Sequence, residues 1–106
     1  MTLELRTTRQ AAVATIRLAG SVDAESAPQL DHAVSAVAAA DLRRLVLELS
    51  DVQYLSSAGL RCLAVAHQRL GRGVEIVLEG ARPEVAETVR LAGFDQVVTL
   101  VGGAPG

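Results

Sequence analysis

Apolar positions along this chain change period several times, and each change marks an element. Leu3, Leu5 and Thr7 alternate with Glu4, Arg6 and Thr8, the period of a half-buried strand. Val13, Ile16 and Leu18 belong to a second strand. Thr8-Arg9-Gln10 reads as the turn of the resulting antiparallel hairpin, which Gly20 ends. A helical period follows, with Leu30, Val34 and Val37 at i, i+4 and i+7. Pro28 suits its first turn, where a missing N–H is not needed, and Ser26 is its expected cap. The helix should end near Ala40, with Gln29, Asp31 and His32 on its polar face.

The run Leu45-Val46-Leu47-Glu48-Leu49 has the composition of a central strand. It is expected to end at Ser50-Asp51 and to cross a short loop into a second helix from Ser57 to Leu70, which Gly71 stops. Residues 74–78 form a fourth strand, and Pro83 opens a third helix through Val85, Val89 and Ala92 that Gly93 ends. Phe94 should plug the core, and residues 97–100 should form a short last strand. The order is β-β-α-β-α-β-α-β, an α/β class with a mixed, largely parallel sheet and helices packed against it. The whole of 1–106 reads as a single domain with a core over about 3–100, and Gly-rich residues 101–106 as a flexible tail.

Composition narrows the function. Half of the 106 residues are apolar, enough for one globular core. A net charge of −2, one Phe, one Tyr and no Trp argue against nucleic-acid binding. No apolar run reaches the ~20 residues of a membrane span, and the first residues lack the basic-then-apolar order of a signal peptide. A cytoplasmic protein is the expectation. Cys62 stands alone, so neither an internal disulfide nor a cysteine metal cluster is expected; no metal and no cofactor are called for. All ten basic residues are arginine, which removes the P-loop lysine, the Schiff base and the serine–lysine dyad.

The chemistry concentrates at Tyr54-Leu55-Ser56-Ser57-Ala58-Gly59-Leu60, where a strand delivers two hydroxyls to a helix start. A serine there caps free backbone N–H groups. It also stands at the positive end of the helix dipole, where added negative charge is favoured. Either Ser56 or Ser57 is therefore a candidate phosphorylation site as well as a candidate cap. Gly59 weakens the first helical turn by up to about 1 kcal/mol relative to Ala, and leaves backbone open to a partner or nucleotide. Arg61 opposes the dipole yet lies four residues from Ser57, on the same face. It reads equally as a solvated arginine or as a phosphate or partner contact.

Together with Leu18-Ala19-Gly20-Ser21-Val22-Asp23, this segment resembles the STAS domain of bacterial anti-anti-sigma factors, over roughly residues 3–100. That family carries an Asp-Ser-Ser/Thr-Gly-Leu-like signature at a helix start, and its first Ser is phosphorylated. Aligned through Gly59-Leu60, the resemblance implies Ser57 as phosphoacceptor, with Ser56 replacing the usual Asp and Ala58 a second Ser or Thr. It implies that Asp23 meets the partner, with Val22 and Glu25 beside it, and the aligned Ser56 and Ala58 join Gly59 and Arg61 as candidate partner-binding residues. From residues alone, Asp23 is a loop or capping carboxylate.

The function implied is an anti-sigma factor antagonist rather than an enzyme. Unphosphorylated, it would bind an anti-sigma factor with a kinase-type ATPase fold and release a sigma factor. Phosphorylation would switch it off, and a serine phosphatase would restore it. The alternative is a stand-alone adaptor in a lipid-transport complex or signalling scaffold, to which the missing Asp lends weight. A hydrolase using Ser57 lacks a base and a Gly-x-Ser-x-Gly elbow. His67 lies about 15 Å along the helix, and no spacing recommends His32. Cys62 reads as a small core residue and Gly71-Arg72-Gly73 as a turn.

Overall fold

The computed structural model describes residues 2–102. Its elements are β1 (Leu3–Gln10), β2 (Val13–Val22), α1 (Ala27–Val37), β3 (Arg44–Leu55), α2 (Ser57–Leu70), β4 (Glu75–Glu79), α3 (Pro83–Leu91), a 3-10 turn (Phe94–Gln96) and β5 (Thr99–Val101). The five strands lie in chain order β1-β2-β3-β4-β5. Only β1–β2 is antiparallel, and β2, β3, β4 and β5 run parallel. The expected element order and mixed sheet are those observed.

Strand alternation puts one face of the sheet under the helices. Ile16, Leu18, Leu45, Leu47, Leu49, Ile76 and Leu78 join Leu30, Val34, Leu63, Val85 and Val89 in a single buried cluster. Leu47 keeps only 1% of its surface. Residues of the opposite parity, such as Thr15, Val46 and Glu48, are only half-buried. No helix of the described residues is long and apolar enough to cross a membrane.

Several boundaries move from their sequence-based positions. The hairpin turn is Ala11-Ala12, not Thr8-Arg9-Gln10, and Ala11 takes φ 53°. Alanine gives no turn signal, and the strand continues past the cover of α1 with exposed polar residues. Helix α1 stops at Val37, short of Ala40. Phe94 is only half-buried, and Val98 fills the core beside it. The last strand is Thr99–Val101 rather than 97–100, because the N–H groups of Val97 and Val98 turn back to the Phe94 carbonyl at the end of the 3-10 turn. Val101 pairs with Glu79 and so stands inside the sheet, whereas the rest of the expected tail, residues 103–106, lies outside the described residues.

The change that matters most is in β3. No loop separates it from α2: the strand runs on through Ser50-Asp51 to Leu55. Its pairing with β2 shifts twice, from Arg17↔Glu48 to Ala19↔Asp51 and from Gly20↔Val52 to Ser21↔Tyr54. Each shift inserts one extra β3 residue, a bulge that resets which side chains face inward. Leu49, Val52 and Leu55 are therefore buried at a spacing of three. The bulges carry the C-terminal ends of β2 and β3 out together.

Candidate functional site

The two strand ends make the site. Val22 pairs with Leu55, and the backbone N–H of Ser56 donates to the Val22 carbonyl at 2.9 Å. The residues beyond this bond, Asp23 on one side and Ser56-Ser57 on the other, are brought side by side from positions more than thirty apart in the chain.

The two serines have different environments. Ser56 is the N-cap of α2, in extended backbone (φ −83°, ψ 176°), and its Oγ accepts from the Gly59 N–H at 3.3 Å. Ser57 is the first helical residue and is exposed. It makes no hydrogen bond among the described residues other than those of the helix backbone. The first turn of α2 carries no acidic side chain, so negative charge added at Ser57 meets the helix dipole without a like charge on its own helix.

Asp23 acts as the capping carboxylate that its loop position suggested. Its Oδ1 accepts from the N–H groups of Ser26 and Glu25, both at 3.0 Å, and from the Ser26 hydroxyl at 3.1 Å. The Ser26 N–H foremost, with these companions, holds the Asp23 carboxyl below the ordinary carboxylate value against the opposing effect of desolvation. Ser26 occupies the N-cap position of α1 but makes no side-chain cap. Its hydroxyl accepts from the Asp23 N–H at 2.9 Å, and its one proton is shared between the Ser21 carbonyl at 2.8 Å and the Asp23 carboxylate at 3.1 Å. Ser21 and Ser26 are both buried. They brace Asp23 from behind, a role the sequence did not signal because it depends on how the chain folds back after β2.

Gly59 differs from its expected role. It is buried, and a Cβ there would lie 2.4 Å from Leu55 Cδ1 and 3.0 Å from Val22 Cγ1. The glycine lets α2 seat on the strand ends and does not leave backbone open to a visitor. Arg61, by contrast, is exposed and makes no ion pair or hydrogen bond among the described residues. Ala58 is half-buried.

Between α1 and α2 runs a groove of about 300 Å³ lined by Ala27, Pro28, Asp31, Ala58, Arg61 and Cys62. It adjoins Ser57 through Ala58 and joins small apolar residues to one acid and one base. Sequence reading placed Asp31 on a polar face and Cys62 in the core, and the groove arises only when the two helices pack. Cys62 is buried, with its Sγ 3.4 Å from the Ala27 carbonyl. Burial, helped by Asp31 and offset by Arg61, pushes its thiol up. Tyr54, 56% exposed, stands just before the serines. Among the described residues no cluster of His, Cys, Asp and Glu could hold a metal.

Comparison with known proteins gives a consistent picture. Residues 4–102 match the model of the STAS domain family. The chain is 30% identical over 88 residues to the anti-sigma-F factor antagonist RsfB of Mycobacterium tuberculosis, covering 83% of this chain and 72% of the relative. A crystal structure of an anti-sigma factor antagonist from Mycobacterium paratuberculosis superposes with a TM-score of 0.79 at 31% identity, over 93% of this chain and 85% of that one. SpoIIAA, an anti-sigma factor antagonist solved in its unphosphorylated form, shares the fold at 14% identity, with a TM-score of 0.71 over 97% of this chain and 90% of its own.

Proposed function

The chain belongs to the STAS domain family, and from that premise we propose that it is an anti-sigma factor antagonist switched by phosphorylation of Ser57. The observation that carries the reading is the exposed Ser57 hydroxyl at the first residue of α2, beside Asp23 and the Ala58–Arg61 groove. The names of the mycobacterial relatives support the antagonist role.

In its unphosphorylated form the protein binds an anti-sigma factor of kinase-type ATPase fold through Asp23, Ser56, Ala58 and Arg61, and so frees a sigma factor. The anti-sigma kinase then transfers phosphate to the Ser57 Oγ. A phosphate adds about −1.5 to −2 charges to the docking surface. Repulsion against the partner's carboxylates and the cost of burying a dianion then oppose docking. A serine phosphatase reverses the step. The protein supplies no catalysis of its own.

Incubation with the anti-sigma kinase of the same genome and ATP tests the site. One phosphate is expected, mapped by mass spectrometry to Ser57. Phosphate on Ser56, or none at all, would favour the adaptor reading instead. Because Ser56 stands where the family resemblance places Asp, Ser56→Asp is expected to speed the transfer.

A further inference from the structure

We propose that the outer edge of β1 pairs with the same strand of a second copy of this chain, in an antiparallel junction centred on Leu5. Strand β1 is an edge of the sheet and pairs with β2 along all eight residues without a register shift. It carries no proline, glycine, lysine or bulge, and its edge charges, Glu4, Arg6 and Arg9, are of both signs, so they disfavour some registers and favour others. The other edge, β5, has three residues.

The hairpin fixes which backbone groups face outward. Ala11-Ala12 is a two-residue loop closing on the pair Gln10–Val13, which is therefore a hydrogen-bonded pair, and such pairs alternate along an antiparallel ladder. Glu4, Arg6 and Thr8 thus turn their N–H and C=O groups toward β2, and Leu3, Leu5 and Thr7 turn theirs out. In keeping with this, the Leu3 carbonyl accepts from Gln29 Nε2 at 3.3 Å, which leaves its second lone pair for the Thr7 N–H of the second copy. An antiparallel partner must match odd residues with odd residues. Centred on Leu5, the match sets Glu4 opposite the second copy's Arg6 and Arg6 opposite its Glu4, in the closer-spaced pairs of the ladder. Centring on Glu4 or Arg6 would put like charges face to face on the axis.

Two further observations favour the Leu5 register. Arg6 already faces Arg17 across β2. Arg17 is neutralised by Asp51 at 2.8 Å and Glu48 at 3.8 Å, while Glu4 and Arg6 make no ion pair among the described residues. A second copy supplies both missing partners. On the helix side, Leu5, Pro28, His32 and Ala33 line a mostly apolar groove along this edge, which the second Leu5 and its surroundings would cover.

Sedimentation velocity of the full chain, up to about 1 mM, reads the association. The wild type is expected to form dimers. Glu4→Arg and Arg6→Glu should each weaken dimerisation by about tenfold, since symmetry places two reversed pairs in the junction. An equimolar mixture of the two variants should recover the dimer, because every changed position then faces opposite charge. Leu5→Cys in a Cys62→Ser background should form a disulfide across the axis under mild oxidation. Circular dichroism shows that each variant is folded. A monomer at every concentration, a dimer indifferent to both charge reversals, or no recovery on mixing would overturn the proposal.

Discussion

The backbone N–H of Ser56 donates to the Val22 carbonyl at 2.9 Å, fastening the start of α2 to the end of β2. Ser57 and Asp23 lie immediately beyond this bond. Their relation is set by the parallel β2–β3 ladder rather than by a free loop, so charge added at Ser57 alters the surface without first having to order it.

The two serines should separate in stability measurements. Ser56→Ala removes the oxygen that accepts from Gly59 N–H and is expected to cost about 1 kcal/mol in urea unfolding. Ser57→Ala, at an exposed position, should stay within about 0.5 kcal/mol of wild type. The reverse order would mean that Ser57 caps the helix.

Gly59→Ala is expected to lower stability by about 1 kcal/mol. Alanine improves helix propensity by up to about 1 kcal/mol, but overpacking costs about 1–3 kcal/mol. The new Cβ would press on Leu55 and on the stiff side chain of Val22. A thermal midpoint above that of wild type would show that the contact relaxes freely.

Leu47→Ala should cost about 2–5 kcal/mol, since Leu47 is 1% exposed on the central strand. A loss below about 0.5 kcal/mol would place Leu47 outside the core.

Asp23 gives the site a pH signature. Its carboxyl is held below the ordinary value by the N–H of Ser26 and its companions. Its contribution to stability is therefore full above the unfolded value of about 3.9. It is lost as pH falls through the lower folded value. A carboxyl-detected NMR titration should find Asp23 titrating below a reference peptide, and the difference should shrink without vanishing in Ser26→Ala, which loses the hydroxyl but keeps the backbone N–H. An unshifted Asp23 would contradict the hydrogen bonds described.

Much of this was legible in the residues. The alternation around Leu47, the spacing of Leu30 and Val34, and the stops at Gly71 and Gly93 report local periods, and the structure keeps them. Features that depend on tertiary pairing were not legible. The continuation of β3 to Leu55 rests on two bulges opposite β2, which break the period-2 pattern that reveals a strand. The turn at Ala11-Ala12 has no turn residue to announce it. Gly59 read as an opening because its contacts, Leu55 and Val22, come from two strands whose ends meet only in the fold. The groove beside Ala58 likewise needs Asp31 and Arg61 from different helices.

The central claim, that Ser57 carries the switch, is tested most directly by the affinity of the purified anti-sigma kinase of the same genome for four proteins: wild type, the Ser57-phosphorylated form, Ser57→Ala and Ser57→Asp. Without ATP, wild type and Ser57→Ala should bind alike. The phosphorylated form should bind on the order of tenfold to a hundredfold more weakly. Ser57→Asp should fall between them, since one carboxylate carries less charge than a phosphate. With ATP, wild type should be released, while Ser57→Ala stays bound and Ser57→Asp keeps its intermediate affinity, since neither variant has a hydroxyl to accept phosphate. Equal affinity of all four proteins would contradict the account.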